Sequence, residues 1–280
     1  MIRETVVAGR FYEANAGQLK SQIEGCLQHR LGAAASIPNV GGTLAGIIVP
    51  HAGYVFSGPV ATHAFARLQR EIPPPDTVVL LGPKHTRYGE SFSVSAASAW
   101  KTPLGQMEVD SGLRDKVLAS DSLFRPDNDA HTFEHSIEVQ LPFLQYFMSP
   151  APRILPIAIH YAPFASICKI ADGLRKVIAG ETAKKIIFLV SSDFSHDTPR
   201  EQAYKLDREV IDLILSNDAE GVYKLITEED RSVCGVMPIC TMLQIFADAS
   251  LKATLLKYAT SMDIMRHELG VGYAAIIFEK

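Results

Sequence analysis

Gly46-Ile47-Ile48-Val49-Pro50-His51-Ala52-Gly53-Tyr54 joins an apolar run to a breaker and a histidine. A short run of branched apolar residues reads as a strand buried on both faces. The run stops at Pro50, His51 follows, and Gly53 lets the backbone turn. In open parallel sheets ligands bind beyond the carboxyl ends of the strands, so His51 stands where chemistry is expected. The pattern recurs in Val78-Val79-Leu80-Leu81-Gly82-Pro83-Lys84-His85 and in Ile154-Leu155-Pro156-Ile157-Ala158-Ile159-His160. It appears again in Ile186-Ile187-Phe188-Leu189-Val190-Ser191-Ser192-Asp193-Phe194-Ser195-His196, with an aspartate added. Four of the 9 histidines thus follow buried-type strands, which predicts a polar cleft along one edge of a sheet.

Between these strands the pattern changes to helical spacing. Asn15 is placed to cap a helix from Ala16 to Leu31, with Leu19, Ile23, Cys26, Leu27 and Leu31 on one face. A helix with Val60, His63, Ala64 and Leu68 joins the first two strands, which implies a right-handed parallel crossover. Further helices are expected over Phe164–Ala179, from Pro199 to Leu215, over Ala219–Ile226 and through Met242, Ile245 and Phe246. Residues 91–110 alternate differently and predict an antiparallel hairpin turning at Lys101-Thr102-Pro103-Leu104-Gly105. Trp100 is expected at its tip, as packing or as a pocket wall. Residues 32–43, rich in Ala, Gly and Pro, read as a linker, and strands at Thr254–Tyr258 and Tyr273–Phe278 close the sheet. The expectation is a single α/β domain over residues 1–280, with a mainly parallel central sheet flanked by helices.

Composition excludes several classes. A net charge of −4 with interspersed signs leaves no basic stripe for nucleic acid. The apolar runs are strand-length, so no membrane span is expected, and Met1-Ile2-Arg3-Glu4-Thr5 has no secretory h-region. The 4 cysteines form no C-x-x-C pair and suit a reducing cytoplasm. Gly270-Val271-Gly272-Tyr273-Ala274-Ala275 fits G-x-G-x-x-A but opens the last strand, so a dinucleotide site is rejected.

Imidazoles from separate strand ends can converge on one metal, and neutral imidazole suits Fe, Zn, Cu and Ni. His51 and His85 follow breakers on the two strands of one crossover, so their side chains can meet there. Cys234, before a glycine at a loop-to-helix junction, is the candidate third ligand, with a lowered thiol pKa expected. Its other reading is a small buried hydrophobe. Asp193 and His196 would then supply acid/base chemistry, His196 as base and Asp193 orienting it. His135 and Glu138, at i and i+3 of an expected helical turn, either point into the cleft or simply suit a helix N-terminus.

The ordered set of motifs resembles the Memo family, also called AmmeMemoRadiSam system protein B. It comprises Ala8-Gly9-Arg10-Phe11-Tyr12, Pro50-His51-Ala52-Gly53-Tyr54, Gly82-Pro83-Lys84-His85, Glu134-His135-Ser136-Ile137-Glu138, Ser191-Ser192-Asp193-Phe194-Ser195-His196, Cys234-Gly235 with Pro238, and the Gly270–Ala275 stretch. The resemblance implies a fold similar to class III extradiol dioxygenases of the LigB type, whose sheet edge holds non-haem Fe(II). It implies two histidines and a cysteine as metal ligands, matching His51, His85 and Cys234, and a base at His196 beside Asp193. His135, Glu138 and Tyr54 are expected around the pocket, and His160 matches no family motif and is read as structural. The resemblance implies non-haem iron first, while a thiolate in place of the dioxygenase carboxylate favours softer or oxidised metals, including copper, so copper or zinc are alternatives. The family name implies partnership with an Amme-type domain and a radical-SAM protein. Two functions follow from the likeness: a metal-dependent redox enzyme, or a peptide- or protein-binding module that kept the fold without turnover.

Overall fold

The computed structural model describes residues 1–35 and 42–280, so half of the linker read over 32–43 lies outside the described residues. Its first half contains β1 (Ile2–Arg3), α1 (Ala16–Gln28), β2 (Leu44–Val49), α2 (Tyr54–Leu68), β3 (Thr77–Pro83), β4 (Phe92–Ser95), β5 (Ala99–Thr102), β6 (Gly105–Glu108), α3 (Ser111–Ser120), β7 (Arg125–Asp127) and α4 (Asp129–Thr132). There follow α5 (Leu141–Phe147), β8 (Arg153–Ile159), α6 (Phe164–Gly180), β9 (Ile186–Ser191), α7 (Arg200–Leu215), α8 (Ala219–Glu228), α9 (Val236–Ile245), β10 (Lys252–Thr260) and β11 (Gly272–Glu279).

Branched residues stiff at χ1 favour extended backbone, and here the strands they build are covered on both sides. Ile47, Ile48, Val49, Val78, Val79, Leu80, Leu81, Leu189 and Val190 are all without solvent contact. Eight strands pair in the order β10-β11-β2-β9-β3-β8-β4-β7. The centre, β2-β9-β3-β8, is parallel throughout, while β10-β11, β11-β2 and β8-β4 pair antiparallel. The α/β class is therefore as expected, with a parallel heart and antiparallel flanks.

The sheet divides the core into two layers. One face packs on α3, α6, α7, α8 and α9 through Leu113, Ile167, Ile170, Ile211, Val222 and Met242. The other packs on α1, α2 and α5 through Leu19, Ile23, Phe65, Phe143 and Leu144. Asn15 caps α1 as its type predicts, its side chain accepting the Gly17 and Gln18 N–H groups. Among the described residues no helix is long and apolar enough to cross a membrane.

The expected hairpin is corrected in two ways. β4 joins the main sheet against β8, and the hairpin proper is β5-β6, which with β1 forms a separate three-stranded sheet. The chain changes sheets at Ser98, whose N–H donates to the Met1 carbonyl at 2.9 Å. Trp100 is not at a tip. It pairs with Met107, is fully buried, donates Nε1–H to Ser95 Oγ at 3.0 Å, and lies under the Arg3 guanidinium.

Candidate metal centre

β2, β9 and β3 end side by side, because β9 pairs in parallel with both neighbours. His51 leaves the end of β2 and His85 lies just past the end of β3, so their rings meet over the end of β9, with centroids 5.3 Å apart. Cys234 comes from the loop before α9. Gly235 permits that approach: its N–H donates to Ser192 Oγ at 3.1 Å, and a Cβ there would lie 2.2 Å from the Ser192 Cβ. Cys234 Sγ sits 3.2 Å from His51 Nε2 and 3.3 Å from the Asp193 N–H donor. One ligand atom from each of His51, His85 and Cys234 lies within 4.8 Å of the others.

The chemistry of this set fits a soft or borderline cation. Burial, and then the neighbouring imidazoles of His135 and His85, push His51 well below its usual pKa, which keeps it neutral as a ligand must be. The lowered Cys234 pKa expected from its loop-to-helix position is not found. Burial, and then the Asp193 carboxylate, push that thiol well above its ordinary value. A cation reverses such a penalty by deprotonating a coordinating thiol.

Asp193 does not orient His196. Its Oδ1 accepts the His51 main-chain N–H at 2.7 Å, and its Oδ2 lies 4.0 Å from His51 Nε2. Burial raises its carboxyl to about 7, against the pull of the His51 and Ala52 N–H groups. His196 is half-buried beside the cleft. Its N–H donates to Ser232 Oγ at 2.8 Å, while its Nε2 is buried without a hydrogen-bond partner.

Two residues expected around the pocket lie behind it. Tyr54 is 1% exposed and its hydroxyl donates to the Val139 carbonyl at 2.6 Å. Glu138 is also buried, and the α-helix expected to carry it begins only at Leu141. Its carboxylate pairs with Arg3 and accepts the Tyr12 hydroxyl at 2.6 Å and the Val6 and Val7 N–H groups. His135 does reach the site, stacked on His85 at 4.9 Å with Phe11 beyond it at 4.8 Å.

Glu134, part of the Glu134–Glu138 motif, is the acid that bonds the ring of a candidate ligand. Its Oε1 lies 3.0 Å from His85 Nδ1, and its Oε2 accepts the His85 N–H at 2.6 Å. Although burial raises it, the hydrogen bond and charge of His85 hold its carboxyl at about 2. The acid preceding a cleft histidine was the available signal. His160, read as structural, lines a cavity of about 430 Å³ together with His85, Cys234, Tyr161, Arg231 and Met237.

A profile described as Memo-like protein matches residues 3–277. The MEMO1 family protein of Methanopyrus kandleri is 38% identical over 100% of both chains. Those of Metallosphaera sedula and Methanosarcina mazei are each 40% identical, over 99% of both chains. Among solved structures, an uncharacterized Escherichia coli K12 protein aligns with a TM-score of 0.57 at 13% identity, over 83% of this chain and 99% of that one, a likeness of fold. With the family pattern matched from end to end by sequence, the chain belongs to the Memo family.

Proposed function

We propose that the chain is a metal-dependent redox enzyme related to the extradiol dioxygenases, with non-haem iron, or else copper or zinc, held by His51, His85 and Cys234. The observation that carries this reading is the convergence of two imidazole nitrogens and a thiol within 4.8 Å, at the strand ends, beside a cavity of about 430 Å³. Such a metal would bind and polarise a substrate or dioxygen. His196, with a free buried Nε2, is the group suited to take a substrate proton. Asp193 holds the His51 backbone in place through its 2.7 Å bond.

The test is elemental analysis after anaerobic purification, on the parent and on Cys234→Ser in parallel. Near-stoichiometric iron or copper in the parent, lost in the variant, is the expected result. No metal in either would end the metal-site reading.

A second reading, a binding module without turnover, draws on the rim of the cleft. Tyr88 and Phe133 are 62% and 65% exposed and face each other at 5.9 Å, beside the loop that carries His85. Exposed aromatic pairs suit peptide recognition. Substrate-dependent oxygen uptake would exclude this reading, and a purified partner that binds Cys234→Ser as tightly as the parent would favour it.

A further inference from the structure

We infer that the chain fixes the rings of His51 and His85 with Nδ1 as the hydrogen-bond donor before any ion arrives, with Ser191, Gln140 and Glu134 as positioning residues. The inference rests on the metal-site reading above and concerns how this chain prepares that site.

Ser191 Oγ has three polar neighbours. The Ser136 main-chain oxygen lies at 2.6 Å, Gln140 Nε2 at 2.9 Å and His51 Nδ1 at 2.9 Å. A carbonyl can only accept, so the Ser136 oxygen takes the hydroxyl's one proton. The Gln140 nitrogen is identified as such by the Pro50 carbonyl 2.9 Å away, so it too donates. Ser191 Oγ therefore has no proton left for the ring, and His51 Nδ1 must carry one. His51 Nε2 is left with a bare lone pair, 3.2 Å from Cys234 Sγ.

Nδ1 of His85 is fixed as a donor by a different route. Glu134 Oε1 already accepts the N–H groups of His135 and Ser136, both at 2.9 Å. An oxygen holding two N–H donors offers no proton, so His85 Nδ1, at 3.0 Å, donates to it. The other oxygen holds the His85 main-chain N–H at 2.6 Å, so one carboxylate grips both the backbone and the ring of this residue. The turn that carries Glu134 is seated on β3 because Gly82 has no side chain. A Cβ there would meet Ile137 at 2.6 Å and Ser136 Oγ at 2.7 Å.

Neither ring can turn over or exchange its proton between nitrogens without breaking these bonds. Partners of this kind, bonded to the far nitrogen of a ligating imidazole, typically govern metal affinity by 10–100-fold. Here they come from three separate places: the end of β9, the 134–136 turn and the residue before α5.

The test uses the full chain, labelled with ¹⁵N-histidine and freed of metal. Ring-nitrogen spectra should show His51 and His85 protonated at Nδ1 in the parent. Ser191→Ala should release His51 alone, and Glu134→Asp, which withdraws the carboxylate, should disturb His85 alone. A merely structural role would move stability without moving either tautomer. Zinc affinity, read by competition with a chromophoric chelator, should fall about 10–100-fold in each variant. A ring bare at Nδ1 in the metal-free parent would overturn the inference, as would zinc binding by both variants as tight as the parent's. If the parent itself fails to bind zinc, the metal-site reading falls, and the ring spectra still decide the tautomers.

Discussion

His131 should make the protein acid-sensitive by an amount that can be worked out in advance. Its ring is fully buried, packs edge-on to Trp100 at 5.4 Å, and meets Ser93 Oγ at 3.1 Å through Nε2. Burial, and then the charge of Arg3, lower its pKa from 6.5 to about 4. As pH falls, the unfolded chain takes up this proton first, below about 6.5, and the folded chain follows only near 4. Stability is therefore lost across that window and levels off beneath it. At 1.36 kcal/mol per pKa unit the full loss is about 3 kcal/mol, of which about 2 kcal/mol has gone by pH 5. Urea unfolding of parent and His131→Phe at pH 7 and pH 5 isolates this contribution, because the other buried histidines weigh equally on both proteins. The variant, which keeps a ring against Trp100, should lose about 2 kcal/mol less than the parent between the two pH values. An equal loss in both would show that His131 does not take up its proton across this window.

Glu138→Gln should cost about 3–5 kcal/mol in urea unfolding, because it leaves the Arg3 cation buried without its counter-charge. Gly235→Ala forces a Cβ onto Ser192 and the Ser191 carbonyl, so about 1–3 kcal/mol of stability should be lost, with metal retention falling alongside. Elemental analysis paired with thermal melts reads both effects, and a variant that keeps full metal content would show that Cys234 is not placed by this contact. Trp100→Ala should cost about 3–5 kcal/mol, since the largest side chain of the smaller sheet would leave a cavity under Arg3. A loss below about 1 kcal/mol would show that the hairpin is not packed as described.

Much of the site's location was legible because strand-ending breakers are local signals. Pro50 before His51 and Gly82-Pro83 ahead of His85 mark the strand ends by themselves, and the parallel sheet brings those ends together. What stayed hidden depends on contacts between distant positions. Glu134 and Glu138 stand in one short motif, and only the fold tells which faces the cleft. Arg3 and Tyr12, over 120 residues away, draw Glu138 behind the pocket, while His85 recruits Glu134. The i, i+3 reading of His135 and Glu138 failed because the α-helix starts later, at Leu141-Pro142. The alternation through residues 91–110 was real, but no local feature announces that the chain changes sheets at Ser98 to meet Met1. The direction of the Cys234 shift was likewise invisible, because the position before a helix suggests a lowered thiol pKa whereas burial decides it.

His51 and Cys234 are 183 positions apart in the chain, yet their ligand atoms lie 3.2 Å from one another. An ion shared between them would act as a removable staple across most of the polypeptide, closing a loop whose entropy the unfolded chain otherwise keeps. By mass action, such an ion at a hundredfold excess over its dissociation constant adds about 2.7 kcal/mol to stability. A chelator would then behave as a mild denaturant of this protein. In a cell short of the metal, its abundance would fall through turnover of the unfolded chain, before any question of catalysis arose.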